Sequence, residues 1–193
     1  MKLYNLLTRS KLNYIKGNFN ILNSIIFAII GITKVMKSYH VSQIADWVLC
    51  YFRDHLDDSV SPLKLQKLLY YCQAWHLAIL ECPLFEEDFQ AWMHGPVIPS
   101  LYHQFKDYGF NSINCPPELK AVDLADDTHE LLIEVMDKYG EHTARYLELL
   151  THQEEPWLSA RGNRSIEERC GAVIDKETMK RFYQKLNAST GNE

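Results

Sequence analysis

The sequence predicts a mainly α-helical fold: a single multi-helix domain with a short β-hairpin or strand pair, running from about residue 36 to the C-terminus. Three observations carry that expectation. Apolar residues recur at three- and four-residue steps through most of residues 41–186. Ser-Pro, Asp and Gly stand where helices would start and stop. Two short stretches, 89–93 and 172–174, alternate or run apolar in the manner of strands.

Taken in order, Ile44, Val48, Tyr51 and Phe52 give one apolar helical face from Val41 through about Leu56, and Asp57-Asp58-Ser59 breaks it. Ser61-Pro62 is a helix start, with Ser as N-cap and Pro at the first position, where its missing N–H costs nothing. Leu65, Leu68, Leu69, Cys72, His76 and Ile79 follow on one stripe with Trp75 beside it, so this long helix is expected at the centre, ending before Pro83. Leu84-Phe85 anchors a turn. Phe89, Ala91 and Met93 then alternate with Gln90 and Trp92 as a short extended piece, which Gly95-Pro96 closes as a turn. Pro99 opens a helix carrying Leu101, Tyr102 and Phe105 on one face, with Gly109 past its end.

Residues 111–119, with Pro116-Pro117, read as a loop. Asp126-Asp127 precede a helix built on Leu131, Leu132, Val135 and Met136 and stopped at Gly140. The next helix runs from about His142 to Thr151 and packs with Ala144, Tyr146, Leu147 and Leu150. Glu154-Glu155-Pro156-Trp157 then makes a turn and a short helical piece, and the polar 161–169 stretch reads as a loop. Asp175 caps a last helix carrying Met179, Phe182, Tyr183 and Leu186, with a frayed tail from Asn187.

Composition narrows the function. The 193 residues suffice for one full core, and an apolar share of 47% is that of a globular protein. Five scattered cysteines, none in a CxxC arrangement, read as reduced thiols of a cytoplasmic protein. The eight histidines show no HxxxH or HxH spacing, so no metal site is expected. No nucleophile motif surrounds any Ser or Cys, so no catalytic residue and no cofactor is expected either.

Residues 1–35 stand apart. They hold Lys2, Arg9, Lys11, Lys16 and Lys34 but no acid, and they are largely Asn, Ile, Leu, Lys and Ser. Removing those five from the 20 basic residues leaves 15 against 25 acidic ones, a formal −10 over 36–193. Such an acidic domain lacks a nucleic-acid footprint and suits a basic protein partner. The first 35 residues read as an extension outside the domain, with translation starting at Met36; a cleaved signal and a membrane anchor are the competing readings. No membrane contact is expected of 36–193, because Lys64, Lys67 and Gln73 interrupt its most apolar helix.

Four phrases then stand together: Leu63-Lys64-Leu65-Gln66-Lys67-Leu68-Leu69-Tyr70-Tyr71, Pro83-Leu84-Phe85, Ala91-Trp92-Met93-His94-Gly95-Pro96-Val97, and Thr151-His152-Gln153-Glu154-Glu155-Pro156-Trp157. In this order and spacing, over about 41–186, the chain resembles the Panacea domain, also called the SocA-like antitoxin domain. The resemblance implies a helical domain of bacteria, phages and mobile elements that binds and neutralises a cognate protein toxin without catalysis. One branch of such proteins is linked to handing a toxin to a protease, so an adaptor is the rival reading. A DNA-binding repressor is a further rival, which the acidic charge disfavours.

Lys67, Tyr71 and His94 are the expected partner-binding residues. Lys67 reads either as a lysine with its stem packed and its head in water, or as a positioned cation. Tyr70 and Tyr71 diverge on one helix, so one of them is expected to expose its ring. Trp92, Gly95, Pro96, Val97, Thr151, His152, Pro156 and Trp157 are expected to be structural, with Trp92 and Trp157 in the core.

Overall fold

The computed structural model describes residues 37–56 and 60–190, and it is mainly helical, as the periodicity predicts. The expected extension at 1–35 and the polar break at Asp57-Asp58-Ser59 lie outside the described residues.

Helix α1, Val41–Tyr51, begins at a capping box: the His40 ring accepts from the Ser42 N–H, and the Gln43 side chain accepts from the His40 N–H. It continues as a π-helical turn, Phe52–Leu56. Helix α2, Pro62–Ile79, starts as the sequence predicts, with Ser61 Oγ accepting from the Lys64 N–H at 3.3 Å and Pro62 at the first position. Strands β1, Gln90–Trp92, and β2, Gly95–Val97, form an antiparallel hairpin in the register Gln90↔Val97, Ala91↔Pro96 and Trp92↔Gly95. Helices α3, Pro99–Phe105, α4, Asp126–Tyr139, α5, Ala144–Thr151, α6, Glu155–Arg161, and α7, Lys176–Thr190, complete the described residues.

Helix α2 is the axis of the fold. Helices α1, α3, α4, α5 and α7 and strand β2 all pack on it. Every residue from Lys64 to Ala78 is buried, so the single apolar stripe expected from its periodicity is too narrow a description. Ile79, expected on that stripe, is exposed at the helix end.

A helix buried all round must satisfy its polar side chains internally. Here they fasten the chain that follows. Gln73 donates to Phe85 O at 2.8 Å and accepts from the Leu84 N–H at 2.8 Å. Gln66 accepts from the Ile98 N–H at 2.8 Å and donates to Ile98 O at 3.2 Å. The His76 ring bonds Cys82 O at 2.8 Å and Thr128 Oγ1 at 3.2 Å.

Four local expectations need correction. Gly95-Pro96-Val97 is a strand rather than the turn; the turn is Met93-His94, because the pairing Trp92↔Gly95 places the reversal between them. Residues 172–174 form no strand of their own. Ala91 N–H donates to Ala172 O and Ile174 N–H to Phe89 O, an isolated bridge that the Asp175 cap ends at once. Tyr102 and Tyr146, expected on packed faces, are exposed. Helix α7 continues past Asn187 to Thr190.

Candidate functional site

The family-like phrases converge where α2, the hairpin, α5 and α6 meet. Lys67 of α2 has no solvent exposure, and its Nζ donates to Pro96 O at 2.9 Å. Removal from water pushes its pKa down to about 7, against the pull of the Glu148 charge. Gly95 sits directly against it with φ +89; a Cβ there would lie 2.8 Å from Lys67 Cε and 2.7 Å from Thr151 Oγ1. Only glycine fits, for its backbone angle and for its lack of a side chain.

Thr151 Oγ1 donates to Glu148 O at 2.8 Å. The buried Glu148 carboxylate meets His94 Nδ1 and Arg145 Nη1, each at 2.9 Å. Burial pushes the Glu148 pKa up, but these two partners outweigh it and hold the carboxyl below its ordinary value. The His152 ring stacks on Trp157 with centroids 4.2 Å apart, and its Nε2 is buried without a partner among the described residues.

Helix side chains thus fasten the hairpin by its carbonyls. Lys67 takes Pro96 O, Trp157 Nε1 takes Trp92 O at 3.1 Å, and Arg161 Nη1 takes Ala91 O at 2.9 Å. Arg161 also gathers the 162–169 loop, donating to Ser165 O, Ile166 O and Glu168 O, with its guanidinium over the Trp157 ring. Above this anchored base the tip is open: Met93 and Tyr102 are 40% and 41% exposed, His94 is exposed, and Trp92 contacts the Tyr102 ring.

Elsewhere along α2, the buried Glu154 carboxylate accepts from Tyr183 Oη at 2.8 Å and Tyr71 Oη at 3.4 Å. Tyr70 Oη lies buried nearby with no hydrogen bond of normal geometry. Tyr71 stacks face to face on Tyr139, centroids 3.9 Å apart. Burial pushes the Glu154 pKa up to about 7 despite the tyrosine hydroxyls that favour its charge.

Lys67 and Tyr71, expected on a partner face, are both at 0% exposure and present nothing to a partner. Neither Tyr70 nor Tyr71 exposes its ring, because α4 and α7 close over the side of α2 that faces solvent in an amphipathic helix. Of the three expected partner residues, only His94 reaches the surface. Trp157 is core as expected, whereas Trp92 is half-buried. Sequence reasoning missed Gln66, Gln73, Glu148 and Arg161, whose partners lie at non-local positions that no spacing encodes, and Met93 and Tyr102, which were assigned to packed positions.

Glu154 and Lys67 make a testable pH signature. A Glu154 pKa of about 7 against the ordinary 4.5 means that the folded chain binds the extra proton between those values, so stability falls as pH rises through that window. A Lys67 pKa of about 7 against 10.5 means that the unfolded chain binds the extra proton above pH 7, so stability rises again toward pH 10.5. Their joint contribution is therefore lowest near neutrality. Denaturant titrations across pH should show Glu154→Gln flattening the acid limb by roughly 3 kcal/mol and Lys67→Met the alkaline limb by roughly 5 kcal/mol. Unchanged limbs would place neither group in a desolvated state.

Among the described residues, no group of three His, Cys, Asp or Glu side chains stands close enough to hold a metal, and no helix is long and apolar enough to cross a membrane. The sequence model of the family described as "Antitoxin SocA-like, Panacea domain" matches residues 65–158, the span from α2 through the hairpin to α6. The chain is also similar to Antitoxin SocA of Caulobacter vibrioides (strain NA1000 / CB15N). The two are 30% identical over 153 residues, covering 69% of this chain and 78% of that protein. No solved structure matches the chain.

Proposed function

The chain belongs to the SocA-like antitoxin family that carries the Panacea domain, and from that premise we propose that it neutralises a cognate, basic protein toxin by binding it directly through the open hairpin tip. The observation that carries this reading is the contrast between the tip and its base. Met93, His94 and Tyr102 stand exposed on a support whose backbone is fixed by Lys67, Trp157, Arg161 and Gln66. Apolar and aromatic side chains on a rigid support lose little entropy on binding, which is what an interface anchor needs.

The formal −10 over residues 36–193 would steer a basic partner toward the domain. Covering the toxin's working surface requires no chemistry from this chain, only an interface of about 1,600 Å². Its setting is the cytoplasm, where the toxin would act.

The test is co-expression with the product of the adjacent reading frame. That product should arrest growth alone and be silenced by this chain, and the two purified proteins should form a complex without any protease. Met93→Ala and Tyr102→Ala should each weaken binding by about 1–3 kcal/mol while leaving the melting temperature nearly unchanged. His94→Ala should weaken binding and also lower the melting temperature, because it removes a partner of the buried Glu148 carboxylate. Full rescue of growth by the triple variant would remove the tip from the interface.

A further inference from the structure

Cys50 and Cys115 lie 65 positions apart in sequence, yet both thiols are tied to one small cluster around Arg53 and Leu119 O, where α1 meets the 111–119 loop. Cys50 and Arg53 share one carbonyl: Cys50 Sγ donates to Leu119 O at 3.5 Å, and Arg53 Nη1 donates to the same oxygen at 3.1 Å. The same Arg53 nitrogen stands 3.5 Å from Cys115 Sγ and donates to Pro116 O at 2.8 Å, so one guanidinium nitrogen links the loop cysteine to the carbonyl that Cys50 also bonds. We propose that Cys50 and Cys115 form a reversible thiol–disulfide site that takes a low-molecular-weight disulfide, such as oxidised glutathione, as its oxidant and staples the loop to α1.

The two cysteines divide the work. Cys115 is half-buried in a loop and open to a small disulfide, whereas Cys50 is buried, its thiol pushed up by desolvation. The Arg53 guanidinium faces the sulfur that must carry negative charge during exchange. Cys115, as thiolate, attacks one glutathione sulfur. The glutathione S–S bond breaks, one glutathione leaves as a thiolate and takes up the proton that Cys115 released, and a mixed disulfide remains. Cys50, as thiolate, then attacks the Cys115 sulfur and expels the second glutathione. Two protein thiols are oxidised to one disulfide, and one glutathione disulfide is reduced to two thiols. This site is independent of the toxin-binding reading.

The experiment treats the full chain with oxidised glutathione and maps its peptides by mass spectrometry under non-reducing conditions. The expected product is a Cys50–Cys115 linked peptide, with a Tm raised by roughly 5–10 °C, slower proteolysis within 109–125, and full reversal by dithiothreitol. Cys50→Ala should stop at a single glutathione on Cys115. The proposal is overturned if Cys50 and Cys115 remain unlinked at an exposure where Cys82, the other half-buried cysteine, has already reacted. It is equally overturned if Cys50→Ala accumulates no adduct at Cys115.

Discussion

A chain carrying Gly95→Val should lose about 4 kcal/mol of folding stability and yield little soluble protein. Two costs combine. Gly95 has φ +89, where a non-glycine residue is strained by about 1–3 kcal/mol. The added side chain would also start 2.7 Å from Thr151 Oγ1 and 2.8 Å from Lys67 Cε. Lys67 cannot retreat, because it is fully buried and tied to Pro96 O. Overpacking of this kind costs a further 1–3 kcal/mol or so. The control is Gly162→Ala. Gly162 also has a positive φ, +60, but a Cβ there meets nothing within 4 Å, so only the backbone strain of about 1–3 kcal/mol is expected, without the overpacking cost. Thermal and urea melts of the two variants measure the difference, and equal losses would mean that the Lys67–Thr151 contact carries no weight.

Trp157→Ala should cost about 3–5 kcal/mol, the range for removing a large buried ring. Its ring stacks on His152, lies under the Arg161 guanidinium and donates to Trp92 O, so the cavity would sit where three elements meet. Trp92→Ala should cost only about 1–2 kcal/mol, because that ring is half-buried and rests on an exposed Tyr102. Melts of the pair separate the tryptophan that closes the core from the one that borders the tip. Comparable losses would contradict that assignment.

Helix starts were legible because they are local chemistry. Ser61-Pro62, Pro99 and Asp175 each act on N–H groups or backbone angles within three residues, and each stands where the sequence places it. The hairpin was legible as alternation, but its turn was misplaced by two residues, because Gly95 serves the close approach of Lys67 and Thr151 rather than chain reversal.

The site was less legible. Periodicity leaves Gln66, Lys67 and Gln73 to the surface or the rim, since a lone helix can satisfy them only in water, and puts His76 on the apolar stripe without naming its partner. Their real partners are backbone groups of later segments, Ile98, Pro96, Leu84-Phe85 and Cys82, and that pairing exists only once the fold is assembled. Lys67 and Tyr71 stand in the most distinctive phrase of the sequence and turn out to be fully buried. The residues proposed to meet a partner, His94 with Met93 and Tyr102, sit on the hairpin and on α3, the segments that Lys67 and Gln66 fasten.

Amide hydrogen exchange of the chain, alone and saturated with the proposed cognate toxin, tests that arrangement most directly. The account predicts that partner binding slows exchange at the Met93-His94 turn and along α3 around Tyr102. The amides of α2 from Lys64 to Ala78, already buried, should be protected in both states. Protection confined to other surfaces, with exchange at Met93, His94 and Tyr102 unchanged in the complex, would contradict it.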